Sequence, residues 1–353
     1  MIHDSSRSIE QELFQQDRKK ILVVEDADSI LIAINDYLTK EYSVTGASDG
    51  REAEIAILDA VEENQPFDLM VTDIHLPDKS GFDLIRFARK FSPSTKIALI
   101  TSYEINEYMD TIYHESIDQV ITKHSNMSLH DIGTMAHKII SGDIFGIGKY
   151  FEGITTRIPT ELTDNLVPPQ RTIFSVILKS SEEKLFWINT VAEIFHREMG
   201  VHLGVARLVL DELLTNAMVR AAKFEDGSYK YQIKNEEKKL LIPHEKIILA
   251  PEDYVILQYG FYEDFAIIAC IDPHGTLRKQ EILYRLHRHI SLNPETRLPE
   301  GISDTHGRGL FLLREHLTYL VFNIQKERKT EVIGIFNTRN DIPYKNISIF
   351  EIE

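Results

Sequence analysis

Two short apolar runs near the start of this chain end in acid: Ile21-Leu-Val-Val-Glu-Asp26 and Leu69-Met-Val-Thr-Asp-Ile-His-Leu-Pro-Asp78. Such a run reads as a buried strand whose tip emerges from a sheet. In open parallel sheets, ligands bind outside the carboxyl ends of the strands. Glu25, Asp26 and Asp73 are therefore expected to meet in one small pocket. Three carboxylates at close range repel unless a cation sits between them, and an all-oxygen site suits Mg²⁺. That is the chemistry of an aspartate that accepts phosphate. Lys96-Ile-Ala-Leu-Ile-Thr-Ser102 is a further apolar run, ending in hydroxyls, and Asp118-Gln-Val-Ile-Thr-Lys123 ends in a lysine. A hydroxyl and an ammonium at neighbouring strand tips would hold the phosphoryl oxygens that the metal leaves free.

Over about residues 18–142 these motifs, in this order, resemble the receiver domain of two-component response regulators. The resemblance implies that Asp73 is phosphorylated by an upstream histidine kinase. It implies that Glu25, Asp26, Asp73 and the backbone carbonyl of His75 bind Mg²⁺, and that Thr101 and Lys123 are the switch hydroxyl and the phosphate-binding lysine. Two positions depart from the family pattern. His124 stands where a proline usually follows the lysine, and Val120 stands where an aromatic usually lies. The second departure bears on coupling through an aromatic rotamer, not on phosphorylation.

At 353 residues the chain is long for one domain and natural for two or three. Its 43% hydrophobic and 27% charged fractions are those of a soluble globular protein. No apolar run approaches the ~20 residues that span a bilayer. The start, Met1-Ile-His-Asp-Ser-Ser-Arg7, has no secretory h-region. The single cysteine, Cys270, permits no intrachain disulfide, which fits a reducing cytoplasm. A net charge of −16 argues against a DNA-binding output. A cytoplasmic protein that binds neither DNA nor membrane is expected.

The organisation follows from periodicity. Residues 1–17 are a polar arm, and residues 18–142 alternate strand and helix patterns as a doubly wound (βα)₅ unit. Leu31, Ile34, Tyr37 and Leu38 have helical spacing, as do Leu84, Ile85, Ala88 and Phe91. Residues 143–170 read as a connector closed by Pro168-Pro169, and residues 171–353 as a second domain. Thr172–Leu178 reads as a strand. Ser180-Ser-Glu-Glu183 has capping-box spacing and opens a helix with Leu185, Ile188, Ala192, Phe195 and Met199 towards the core. Strands are expected at 254–259, 265–271, 319–326 and 330–337, and helices at about 203–222, 277–290 and after Gly309.

The helix at 203–222 carries Leu208-Val-Leu-Asp-Glu-Leu-Leu-Thr-Asn-Ala217. Glu212 and Asn216 are four apart and share a helical face among leucines. Polar groups on so apolar a helix need polar work: a carboxamide oxygen binds a metal, and a carboxylate orients or deprotonates a nucleophile. Cys270-Ile-Asp-Pro-His-Gly-Thr276 puts an aspartate at a strand end, where it can accept from an adenine amino group. Thr305-His-Gly-Arg-Gly-Leu310 opens a helix with glycines, a ready anion site.

From about 170 to 340 the chain resembles the GHKL ATPase fold, an α/β sandwich, with Glu212/Asn216 as its N box, Asp272–Gly275 as its G1 box and Gly307-Arg308-Gly309 as its G2 box. Asp-Glu-Leu-Leu-Thr-Asn-Ala and Gly-Arg-Gly-Leu-Phe-Leu-Leu look closest to anti-sigma-factor serine kinases. That resemblance implies ATP as ligand, Asn216 on its Mg²⁺, Glu212 as catalytic base, and an anti-sigma antagonist or sigma factor as partner. His274 replaces a glycine of the usual G1 pattern. The expected protein is a homodimeric response regulator whose phosphorylation controls a serine/threonine kinase output. The alternative is a phosphorylation-gated module that sequesters its partner without catalysis. His196, without a following proline or paired long helices, reads as an ordinary helix residue and not as a phosphoacceptor.

Overall fold

The structure, a computed structural model, describes residues 18–101, 108–115, 117, 119–122, 129–159, 166–231, 246–290, 308–339 and 346–353. By their contacts the residues fall into two units, Met1–Glu107 with Ile117–Ile144, and Tyr108–Ser116 with Phe145–Glu353.

In the first unit β1 (Lys20–Val24), β2 (Ser43–Ala47), β3 (Leu69–Asp73), β4 (Lys96–Thr101) and β5 (Gln119–Thr122) pair in parallel in the order β2-β1-β3-β4-β5. The helices of this unit are α1 (Asp28–Leu38), α2 (Gly50–Glu62), α3 (Gly81–Phe91) and, after β5, α5 (Leu129–Ser141). This is the doubly wound arrangement expected from the alternating pattern. β1 and β3 are buried almost throughout, as strands covered on both faces must be. Ile34 and Leu38 of α1 and Leu84, Ile85 and Ala88 of α3 form the helical side of the core. Phe91, expected inside, is 39% exposed at the end of α3, with its ring 4.5 Å from that of Phe87.

Tyr108–Ser116, with the short helix α4 (Met109–His114), lies in sequence between β4 and β5 and clusters with the second unit. There Tyr113 stacks on His287 at 5.3 Å.

The rest of the second unit carries a mixed sheet of seven described strands in the order β6-β7-β8-β9-β11-β10-β12. These are β6 (Thr155–Arg157), β7 (Thr172–Leu178), β8 (Val255–Tyr262), β9 (Phe265–Asp272), β10 (Tyr319–Gln325), β11 (Lys329–Asn337) and β12 (Asn346–Ile352). β6–β7 and β10–β12 are parallel pairs, and the others are antiparallel. In β8, Val255, Leu257, Tyr259 and Phe261 are buried while Ile256 and Gln258 are partly exposed, the period-two sign of one covered face.

The helices of this unit are α6 (Ser181–Met199), α7 (Leu203–Thr215), α8 (Lys279–Ile290) and α9 (Arg308–His316). Ser180 caps α6 as its sequence proposes: the hydroxyl accepts from the Glu183 N–H at 3.3 Å, and the Glu183 carboxylate accepts from the Lys179 N–H at 2.6 Å. The α6 core face is rotated from the expected one. Leu185 is 58% exposed, while Trp187, Val191 and Ile194 join Ile188, Ala192 and Phe195 inside. The aromatics explain the rotation, since Trp187 lies 5.8 Å from Tyr259 and Phe195 lies 5.6 Å from Phe261. The stretch 143–170 carries a 3₁₀ turn at Ile147–Lys149 as well as β6. The Gly146 N–H donates to the Glu331 carboxylate at 2.9 Å, and the Asn323 amide donates to the same oxygen at 2.7 Å. Among the described residues, no helix is long and apolar enough to cross a membrane.

Candidate functional site

In the first unit the order of strands reverses between β1 and β3, and a crevice opens at such a switch point. β1 delivers Glu25 and Asp26 to it, and β3 delivers Asp73. One carboxylate oxygen from each lies within 4.8 Å of the others. Glu25 and Asp73 are buried, whereas Asp26 faces solvent. Backbone donors fix the acids: Asp73 Oδ1 accepts from the Ile74 N–H at 2.6 Å, and Glu25 Oε1 accepts from the Ala27 N–H at 3.3 Å. Three hard oxygen donors converging from two strands fit a Mg²⁺ ion. Thr101 ends β4, next to β3, where Asp73 is in register with Ile100. The Thr101 side chain, Lys123 and His124 lie outside the described residues. His75 forms a bridge with Ser80 across the loop that leaves the pocket.

That loop is built more tightly than its sequence suggested. The Gly81 N–H donates to the Ile74 carbonyl at 2.7 Å, and a Cβ on Gly81 would stand 2.0 Å from the Asp73 carbonyl oxygen. Asp78 Oδ1 accepts from the Gly50 N–H at 2.8 Å, at the N-terminus of α2. Its partial burial works to raise its pKa, but the Gly50 N–H and the neighbouring Lys79 charge outweigh that and hold it below the usual value. Lys79 pairs with Glu54 at 2.5 Å, so the loop is fastened to α2 at two points. Pro77-Asp78-Lys79-Ser80-Gly81 was the available signal, a turn composition with no role assigned to it.

The second unit holds an open cavity whose wall includes Asn216, Arg220, Lys223, Cys270, Asp272 and Thr276. Asp272 stands at the end of β9, buried, and accepts from the N–H groups of His274 at 3.0 Å and Gly275 at 3.3 Å. Burial pushes its carboxyl up to about 6 despite those donors. Gly275 has φ +59°, and a Cβ there would meet the Gln325 carbonyl oxygen at 2.0 Å. Thr276 ties the loop to the helix beside it by donating to the Ala221 carbonyl at 3.0 Å. His274 has no positive φ, and its Nε2 stands 3.0 Å from the buried carboxylate of Asp253. Lys230 and the Tyr231 hydroxyl reach the same carboxylate at 3.2 and 2.6 Å. The residue that replaces a glycine thus donates its backbone N–H to Asp272 and lays its ring beside Asp253.

The α-helical hydrogen bonding of α7 gives way to a π-helical turn at Asn216–Arg220, a widening common at functional sites. Glu212 and Asn216 share a face as their spacing requires, with the Asn216 Nδ2 donating to Glu212 Oε1 at 3.0 Å. Gly309, on α9, is pressed against them: a Cβ there would lie 1.7 Å from Glu212 Oε1. Gly307 and the Arg308 side chain lie outside the described residues. Arg220 was not anticipated, although it repeats the i, i+4 spacing once more. Its Nη1 donates to Asn216 Oδ1 at 2.6 Å and to Glu212 Oε1 at 2.9 Å. The Asn216 oxygen that would ligate a divalent ion therefore faces a guanidinium, and as folded it does not fit a metal. His196 sits near the end of α6, its Nδ1 3.0 Å from the Val201 carbonyl oxygen, as an ordinary helix residue would.

Comparison with known proteins bears on the first unit. The response regulator receiver domain family matches residues 21–131. The response regulator protein PilR of Pseudomonas aeruginosa is 33% identical over 87 residues, which are 24% of this chain and 18% of PilR. The response regulator protein VraR of Staphylococcus saprophyticus is 26% identical over 109 residues, 31% of this chain and 51% of VraR. The chain thus spans about half or less of these curated relatives. Among solved structures, a CheY-like receiver domain protein from Methanospirillum hungatei JF-1 is 26% identical with a TM-score of 0.32. That match covers 36% of this chain and 96% of the other.

Proposed function

We propose that this chain, whose N-terminal part is a two-component response regulator receiver domain, accepts a phosphoryl group on Asp73 and relays that state to its C-terminal unit. The observation that carries the reading is the meeting of Glu25, Asp26 and Asp73 within 4.8 Å at the switch point of a parallel sheet. A receiver domain implies a phosphodonor histidine kinase as partner. An Asp73 oxygen attacks the phosphorus of a phosphohistidine, the P–N bond breaks, and the imidazole leaves. Glu25, Asp26 and Asp73 would hold a Mg²⁺ ion that would offset the charge on the phosphoryl oxygens, and Thr101 and Lys123 bind the oxygens that remain. Incubation with acetyl phosphate and Mg²⁺, followed by intact-mass measurement, tests this. One added phosphoryl group on the wild type and none on Asp73→Ala is expected. Equal uptake by both would overturn the assignment.

For the second unit the reading is a GHKL-type nucleotide-binding domain. Asp272 is the acceptor for an adenine amino group, Gly275 shapes the turn behind it, and the proposed phosphate-binding residues are Gly307, Arg308 and Gly309. A buried aspartate and a basic residue, Arg220, on one cavity support it, with the sharp turn at Gly275 donating an N–H to that aspartate. The output is then a serine/threonine kinase of the anti-sigma type, with Glu212 as base towards a protein hydroxyl and an anti-sigma antagonist or sigma factor as substrate. A specific observation favours the second reading, a binding module without catalysis: Glu212 is held in an ion pair with Arg220 at 2.9 Å and is not poised towards a nucleophile. Transfer of labelled phosphate from ATP to a candidate partner separates the two. The protein is further proposed to act as a homodimer whose geometry changes on phosphorylation. Small-angle scattering with and without beryllofluoride tests this, and a monomer of unchanged shape in both states would overturn it.

A further inference from the structure

We infer that in the second unit the positive charge facing a nucleotide's phosphates is supplied by Arg220 and not by a divalent ion, so that a nucleoside triphosphate binds there as the metal-free anion. This rests on the nucleotide reading given above. One guanidinium nitrogen of Arg220 lies 2.6 Å from Asn216 Oδ1 and 2.9 Å from Glu212 Oε1. A Mg²⁺ ion bound to that carboxamide oxygen would sit at about 2.0–2.1 Å from it. Two cations would then compete for one oxygen, and the guanidinium is covalently present and always charged. Glu212 Oε1 is committed further, because Asn216 Nδ2 also donates to it.

The same group is well placed to meet phosphate. Arg220 lines the cavity, and its side chain is 29% exposed, so its remaining donors are open to a ligand. A guanidinium fork matches phosphate oxygens. The charged groups on the cavity wall are Arg220, Lys223, Arg285, Asp272 and Glu281. Arg285 pairs with Glu281 and Arg220 with Glu212, which leaves Lys223, stacked over the Tyr229 ring at 5.4 Å, as a further cation at the wall.

The test is calorimetric titration of the full-length chain with ATP, in excess EDTA and in excess Mg²⁺. Affinities that agree within about twofold in the two buffers, and that fall about tenfold or more in Arg220→Gln, are the expected result. An affinity that rises about tenfold or more with Mg²⁺ would overturn the inference and leave the nucleotide reading standing. Equal EDTA binding by the wild type and Arg220→Gln would overturn the role of Arg220. Absence of ATP binding in both buffers would overturn the nucleotide reading and this inference with it. If Arg220→Gln does not fold, Arg220→Lys serves instead. It keeps the charge but loses the fork, and binding about fivefold weaker in EDTA with no gain from Mg²⁺ is expected.

Discussion

Single residues set the limits of both sites. At Gly81 the constraint is backbone against backbone, since a Cβ would stand 2.0 Å from the Asp73 carbonyl oxygen and neither side can give way. Gly81→Ala is expected to cost about 1–3 kcal/mol or more of stability and to abolish phosphoryl uptake at Asp73, read by denaturant melts and intact mass. Asp272 makes the opposite trade. Its carboxyl titrates near 6 in the folded chain against an ordinary 3.8. Below about pH 4 the group is neutral in both states and its contribution is fully present. As pH rises to about 6 the unfolded chain ionises first, so stability is lost over that window. Asp272→Asn keeps an oxygen for the two N–H groups and cannot ionise. At pH 7.5 it should be at least as stable as the wild type, by up to about 3 kcal/mol, while adenine binding is lost. Melts from pH 4 to 8 give the difference, and a variant less stable at pH 7.5 would contradict the argument. The acids Glu25, Asp26 and Asp73 were legible because each closes an apolar run. Arg220 was not, because nothing in the i, i+4 spacing says that a guanidinium will fold back onto the two residues before it.

At the scale of elements, legibility followed local periodicity. β7 begins and ends where its sequence places it, at Thr172 and Leu178, and Ser180 caps the helix that follows. The face of α6 was misjudged because its spacing admits two stripes, and only the aromatics of β8 choose between them. β6 and β12 went unread for a different reason. β6 has three residues, all exposed, and β12 is defined by its parallel pairing with β10, a contact no local window contains. Glu331 is a third case, a charged residue inside β11 that is 1% exposed. It accepts from Asn323 opposite it on β10 and from Gly146 of the incoming chain. Glu331→Ala removes the acceptor of both bonds, one of them buried, at a cost of about 1–3 kcal/mol. Its expected effect is a lower unfolding midpoint for the second unit, with phosphoryl uptake by the first unchanged.

For the whole molecule, two compact units predict two unfolding transitions. Each site then reports on its own transition, because a ligand stabilises only the unit that binds it. Mg²⁺ with beryllofluoride should raise one midpoint, and ATP the other. Calorimetric scans check this, and a single transition raised by both would show that the units unfold together. The anchoring of Gly146 by Glu331 has a mechanical side. A long flexible strap between two bodies transmits little force, because slack absorbs it. Here the second unit includes the chain from Phe145 on, and the residue after it is bonded to an interior carboxylate, so nearly all of the 28 residues that the sequence reading gave to a connector belong to the second unit. Extra length is therefore unequal in its effect. A Gly-Ser insertion between Ile158 and Pro159 leaves the Gly146–Glu331 bond intact. The same insertion at 142–143 adds slack ahead of the anchor, and should weaken the effect of beryllofluoride on nucleotide affinity in the second unit.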